Sequence, residues 1–104
     1  MTVNVTTIRE TKPILLVEDQ PSNVLVAVSF LEIMGYSCET AENGYEELKK
    51  FSNRRYALIL MDVQLPGIDG LETTRHIRRM EKERGLSPAP ILATYMARRP
   101  PVFM

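Results

Sequence analysis

Three short apolar runs, at residues 14–17, 57–61 and 91–93, and a partly alternating stretch at 36–41 punctuate the chain, and between them the apolar positions switch to helical spacing. The first run, Ile14-Leu15-Leu16-Val17, is continuous, as expected of a parallel strand buried on both faces. Val24, Leu25, Val28, Leu31 and Met34 then recur at helical spacing and predict a first helix, with Pro21 suited to its first turn and Gly35 to its end. Residues 36–41, with Cys38 and Thr40 on one side, predict a second strand. Asn43-Gly44 turns the chain into a short helix with Leu48 and Phe51 inside and Glu46, Glu47, Lys49 and Lys50 outside. The third strand covers 57–61, after which Pro66-Gly67 and Asp69-Gly70 break the chain. A third helix follows over about 71–83, with Leu71, Thr74, Ile77 and Met80 as its inner stripe and Gly85 as its stop.

The alternation is β-α-β-α-β-α-β without internal repeat. Right-handed crossovers make that a doubly wound α/β fold, a parallel sheet with helices on both faces. A chain of 104 residues holds one such domain, assigned to 13–97. Residues 1–12 read as a polar leader and 98–104 as a basic, Pro-rich tail. The stretch after the last run is too short and too rich in proline for another helix and strand.

Charge narrows the function classes. Thirteen basic residues balance thirteen acidic ones, so nothing in the net charge points to a nucleic acid or an anionic membrane. Arg75, Arg78, Arg79, Lys82 and Arg84 cluster on the third predicted helix and read as a solvated face. No stretch approaches the roughly 18 apolar residues of a membrane span, and the first ten residues lack an apolar signal core, so a cytoplasmic location is expected. Cys38 is the only cysteine, which excludes an internal disulfide and reads as strand-side packing. His76 sits mid-helix among arginines and reads as a surface residue. Met34, Met61 and Met80 fall on apolar positions and are expected in the core.

Chemistry concentrates at two strand ends. The first strand stops at Glu18-Asp19 and the third at Asp62. Acids just before a helix commonly serve as caps or partners of the helix dipole. Parallel sheets, however, open their ligand crevice at the carboxyl ends of the strands. If these two strands are neighbours, three carboxylates converge there, and a divalent cation is the economical way to hold them together.

The motifs, taken in order, resemble the receiver domain of two-component response regulators, including receivers attached to hybrid histidine kinases. Leu15-Leu16-Val17-Glu18-Asp19 resembles the family's first strand with its acidic pair, and Ala41-Glu42-Asn43-Gly44 its second strand-to-helix turn. Leu60-Met61-Asp62-Val63-Gln64-Leu65-Pro66-Gly67-Ile68-Asp69-Gly70 resembles its phosphorylation loop. The resemblance implies a flavodoxin-like strand order 2-1-3-4. It also implies a phosphoryl group passed from a phosphohistidine of a sensor histidine kinase or histidine phosphotransfer protein to Asp62. Mg²⁺ would be held by Asp19 and Asp62, by Glu18 directly or through water, and by the backbone carbonyl of Gln64. Such a set suits an ion that prefers oxygen ligands at about 2.0–2.1 Å and retains several waters.

Two departures accompany the resemblance. The family ends its fourth strand with a Ser or Thr that contacts the phosphoryl group; an ungapped reading from Pro90 puts Tyr95 there. Thr94 is carried as the switch hydroxyl, which requires a shift of register by one residue. The family's fifth strand, with its Lys and flanking helices, has no counterpart after Ala97 in this sequence. Loss of a comparable preorganised donor typically costs about 3–4 kcal/mol of transition-state stabilisation. The fourth strand would then be an exposed edge, and a homodimer through that edge or through an exchanged C-terminal segment is expected. A receiver-shaped interaction module that no longer switches therefore stands beside the phosphoacceptor reading. A Mg²⁺-dependent phosphohydrolase stands further off, because Gln64 replaces the second acid that such enzymes carry two residues after the nucleophile.

Overall fold

In the computed structural model, which describes residues 12–62 and 68–94, these four stretches form β1 (Ile14–Val17), β2 (Cys38–Ala41), β3 (Leu58–Asp62) and β4 (Ile91–Thr94). Between them lie α1 (Pro21–Ile33), α2 (Gly44–Asn53) and α3 (Gly70–Arg84). Every strand pair is parallel and the order is β2-β1-β3-β4, as the sequence predicts. The chain moves one way from β1 to β2 and then back across β1 to β3. Right-handed crossovers accordingly set α1 on one face of the sheet and α2 with α3 on the other.

Register decides which side chains meet. Leu15 pairs with Ile59, Val17 with Ala41 and Met61, and Ile59 with Ile91. Residues paired in this way project to the same face of the sheet. Beneath α2 and α3 they build one core, completed by Phe51, Tyr56, Ile77 and Ala89. Ile14 and Leu16, both buried, alternate to the α1 face, where Leu31 is the buried residue of the helix.

Helix ends follow local chemistry. Asn43 Oδ1 accepts the Glu46 N–H at 2.9 Å, and Glu46 reaches back to accept the Glu42 N–H at 3.0 Å. Asp69 Oδ1 accepts the Glu72 N–H at 2.8 Å. Gly85 ends α3 in the left-handed conformation at φ 65°, which a residue with a Cβ adopts only at a cost.

Three expectations about helix faces are corrected. Glu47 is buried on the inner stripe of α2 with Gly44 and Phe51, not turned to solvent. In α3 the buried residues are Gly70, Thr73, Ile77 and Glu81; Ile77 is on the expected stripe and Met80 packs partly buried against the core, but Leu71 is 64% exposed. In α3 the polar side chains Thr73 and Glu81 can take inner positions because their groups are satisfied. The Thr73 hydroxyl donates to the Asp69 carbonyl at 2.9 Å, and the Glu81 carboxylate accepts from the Ala89 N–H at 2.6 Å and from Arg78 at 2.9 Å. In α1, Leu25 and Met34 are exposed, at 69% and 57%. That helix is apolar on nearly every side, so spacing alone does not select its inner face.

Candidate acidic site

β1 and β3 are neighbours in register from Ile14↔Leu58 to Val17↔Met61, so both strands deliver their next residue to the same end of the sheet. Glu18 and Asp19 leave β1 there, and Asp62 ends β3. One carboxylate oxygen from each of the three lies within 4.8 Å of the others. Glu18 and Asp62 are buried and Asp19 is half-buried. The Glu18 backbone is tied down by its N–H, which donates to the Ala41 carbonyl at 2.9 Å.

The electrostatics of this arrangement call for a cation. Burial pushes the Glu18 carboxyl above its ordinary range; the Gln20 N–H opposes the shift, and the neighbouring Asp62 and Asp19 add to it. Glu18 Oε2 accepts that N–H at 2.9 Å, while Oε1 is buried without a donor. A buried acceptor of this kind costs free energy unless something positive reaches it. The N-cap of α1 is Gln20, whose own side chain makes no capping bond.

β4 brings a hydroxyl alongside. Thr94 pairs directly with Asp62, so the two side chains share a face, and Thr94 Oγ1 is buried without a hydrogen-bond partner. Gln64 and Tyr95 lie outside the described residues, as do the segments 1–11 and 95–104.

Beside the acids runs a groove of about 470 Å³, lined by Pro21, Val24, Leu25 and Val28 of α1 and by Thr40 and Glu42 at the β2 end. In the sequence Val24, Leu25 and Val28 stand out only as helically spaced apolar positions. The signal for a groove was an apolar surface broader than one buried stripe needs. Other candidates stand apart from this site. His76 lies beside Glu72 at 3.5 Å on α3, and burial, with Glu32 and Glu39 nearby, pushes the Cys38 thiol up and leaves it a poor nucleophile. Among the described residues no helix is long and apolar enough to cross a membrane.

A doubly wound parallel sheet with a three-carboxylate crevice at its strand ends is the form of a signalling receiver. The family model for the response regulator receiver domain matches residues 14–96. The chain is 41% identical over 80 residues to the sensor histidine kinase GacS of Pseudomonas protegens, covering 77% of this chain and 9% of that protein. Among solved structures it resembles the receiver domain of Ssk1, crystallised with the histidine phosphotransfer protein Ypd1 of Saccharomyces cerevisiae. The TM-score is 0.70 at 34% identity, over 80% of this chain and 61% of that one. It also resembles the receiver domain of the histidine kinase CKI1 of Arabidopsis thaliana, complexed with Mg²⁺ and BeF₃⁻. That match has a TM-score of 0.74 at 30% identity, over 86% of this chain and 69% of that one. This chain belongs to the response regulator receiver domain family of two-component signalling.

Proposed function

We propose that this chain accepts a phosphoryl group on Asp62 from the phosphohistidine of a sensor histidine kinase or a histidine phosphotransfer protein. The observation that carries the reading is the convergence of Glu18, Asp19 and Asp62, with the unpartnered Thr94 hydroxyl on the Asp62 face. In the transfer an Asp62 carboxylate oxygen forms the new bond to phosphorus as the phosphorus–nitrogen bond to the donor imidazole breaks. The product is an acyl phosphate, and the imidazole leaves with the electron pair. Glu18, Asp19 and Asp62 present hard oxygen donors that fit Mg²⁺, with the Gln64 carbonyl as the further ligand implied by family resemblance. Bound there, Mg²⁺ would offset the negative charge shared by the carboxylates and the incoming phosphoryl oxygens.

The chain's own residues do the rest. β1 and β3 hold the acids at fixed strand ends, so little reorganisation is needed when the donor arrives. Thr94 Oγ1 donates to a phosphoryl oxygen once one is present, which gives its buried hydroxyl the partner it lacks. The groove along Val24, Leu25 and Val28 offers the donor protein an apolar seat next to the acids. Catalysis is confined to the chain's own phosphorylation, in the cytoplasm. The test is incubation with a small phosphodonor and Mg²⁺. Label should enter the natural chain and not Asp62→Asn; equal labelling of both removes Asp62 from its role, and no labelling of either favours the interaction module that does not switch.

A further inference from the structure

Glu47 is an ionisable group that the acidic site does not use. It lies on the buried stripe of α2, one turn after Gly44 and one before Phe51, and is 0% exposed. Neither carboxyl oxygen has a hydrogen-bond partner. α2 packs against α3, β2 and β1. β1 carries no ionisable residue. β2 carries Cys38 and Glu39, and Glu39 is engaged by the Tyr56 hydroxyl and by Arg54. The one buried ionisable residue of α3 is Glu81, occupied by Arg78 and the Ala89 N–H. The remaining charged groups of α3, Glu72, Arg75, His76, Arg79, Lys82, Glu83 and Arg84, lie exposed or half-buried. On α2 itself Glu46 is spent on the Glu42 N–H, Lys49 is exposed and Lys50 donates to the Thr40 carbonyl. Among the described residues no counter-charge pairs with Glu47.

We propose that Glu47 is a proton-operated latch: its neutral acid form packs in the seam between α2 and α3, and its ionisation releases α2 from that seam. An ionised carboxylate without partners cannot remain in an apolar interior, so the charged form must either open the packing or recover its proton. The chemistry of the site agrees, because burial alone raises the Glu47 carboxyl to about 8 from an ordinary 4.5. The sign follows from linkage. The folded chain keeps a proton that the unfolded chain releases above pH 4.5, so this contribution to stability is full below that pH. It falls as pH rises and levels once the folded group ionises near 8.

Two measurements on the full chain test this. In urea unfolding across pH 5 to 9, the unfolding equilibrium constant of the natural chain relative to Glu47→Gln should rise roughly tenfold per pH unit and level near the upper end of the window. Parallel pH profiles for the two chains would overturn the proposal. If Glu47→Gln does not fold, carbon NMR of glutamate side chains in the natural chain gives the answer directly. A Glu47 midpoint near 8, with faster amide exchange in α2 above it, supports the latch. A midpoint in the ordinary glutamate range, or α2 exchange that ignores the transition, rejects it.

Discussion

Adding a single methyl group at Gly44 should destabilise the domain through contact rather than through backbone conformation. Gly44 does not have positive φ, unlike Gly35 and Gly85, so alanine can adopt its backbone. The obstacle is space. A Cβ there would stand 2.4 Å from Ile68 Cγ2, 2.4 Å from Thr73 Oγ1 and 3.0 Å from the Ile68 carbonyl oxygen. Ordinary contacts need about 3.5–4 Å, so roughly 1 Å of movement is demanded. Ile68 can turn its side chain, but Thr73 is buried and fixed, its N–H and its hydroxyl both donating to the Asp69 carbonyl at 2.9 Å. Overpacking of this kind costs about 1–3 kcal/mol, and alanine returns about 0.5–1 kcal/mol through its better helix propensity. Gly44→Ala should therefore lose about 1–2 kcal/mol, seen in urea unfolding as a lower midpoint at unchanged slope. Gly85 supplies the contrast, because its φ is 65° and nothing lies within 4 Å of its added Cβ. Asparagine tolerates that backbone, so Gly85→Asn should be mild while Gly44→Asn is worse than Gly44→Ala. A Gly44→Ala midpoint at or above that of the natural chain would refute the reasoning.

Mg²⁺ binding should depend on pH in a definite direction. The Glu18 carboxyl is held above its ordinary range and must lose its proton to meet the ion, so affinity should rise with pH through the weakly acidic range and then level. Calorimetric titration at several pH values checks this, and a flat profile counts against Glu18 as a ligand. The outer edge of β4 is unpaired among the described residues and Leu92 on it is 57% exposed, so the chain should self-associate at high concentration. Sedimentation should show Leu92→Lys weakening the association; a strict monomer for the natural chain would remove the proposal.

β1 and β3 were legible because they are short apolar runs bounded by turn residues, and burial leaves such runs few alternatives. The acidic site was legible for a related reason. Its residues sit immediately after strands, so placing Val17 and Met61 side by side places Glu18, Asp19 and Asp62 as well. Helix faces were harder. Hydrophobic spacing put Ile77 and Met80 rightly against the core but also turned Leu71 inward, while the structure buries Thr73 and Glu81, whose partners Asp69 and Ala89 come from outside the helix. Such satisfaction is a tertiary fact that periodicity does not carry. Glu47 was readable in part, since its spacing from Gly44 and Phe51 already put it on the inner face; its charge argued the other way. Thr94 needed the β3–β4 register, which a strand of four residues does not fix by pattern.

The three fully buried acids Glu18, Asp62 and Glu47 meet the same physical problem in two ways. Glu18 and Asp62 sit together with Asp19, where one divalent cation would answer several negative charges at once and where a phosphoryl group, also negative, would need that cation still more. Among the described residues Glu47 joins no cluster of acids that could share a cation and pairs with no base, so the least costly form open to it is the neutral one. Asp62 alternates with Met61, a residue of the core beneath α2 and α3, and so projects to the opposite, α1 face from the seam that holds Glu47. Sites separated by a sheet and sharing no partner contribute nearly independently. A cation bound by the acids should therefore leave the pH dependence proposed for Glu47 unchanged.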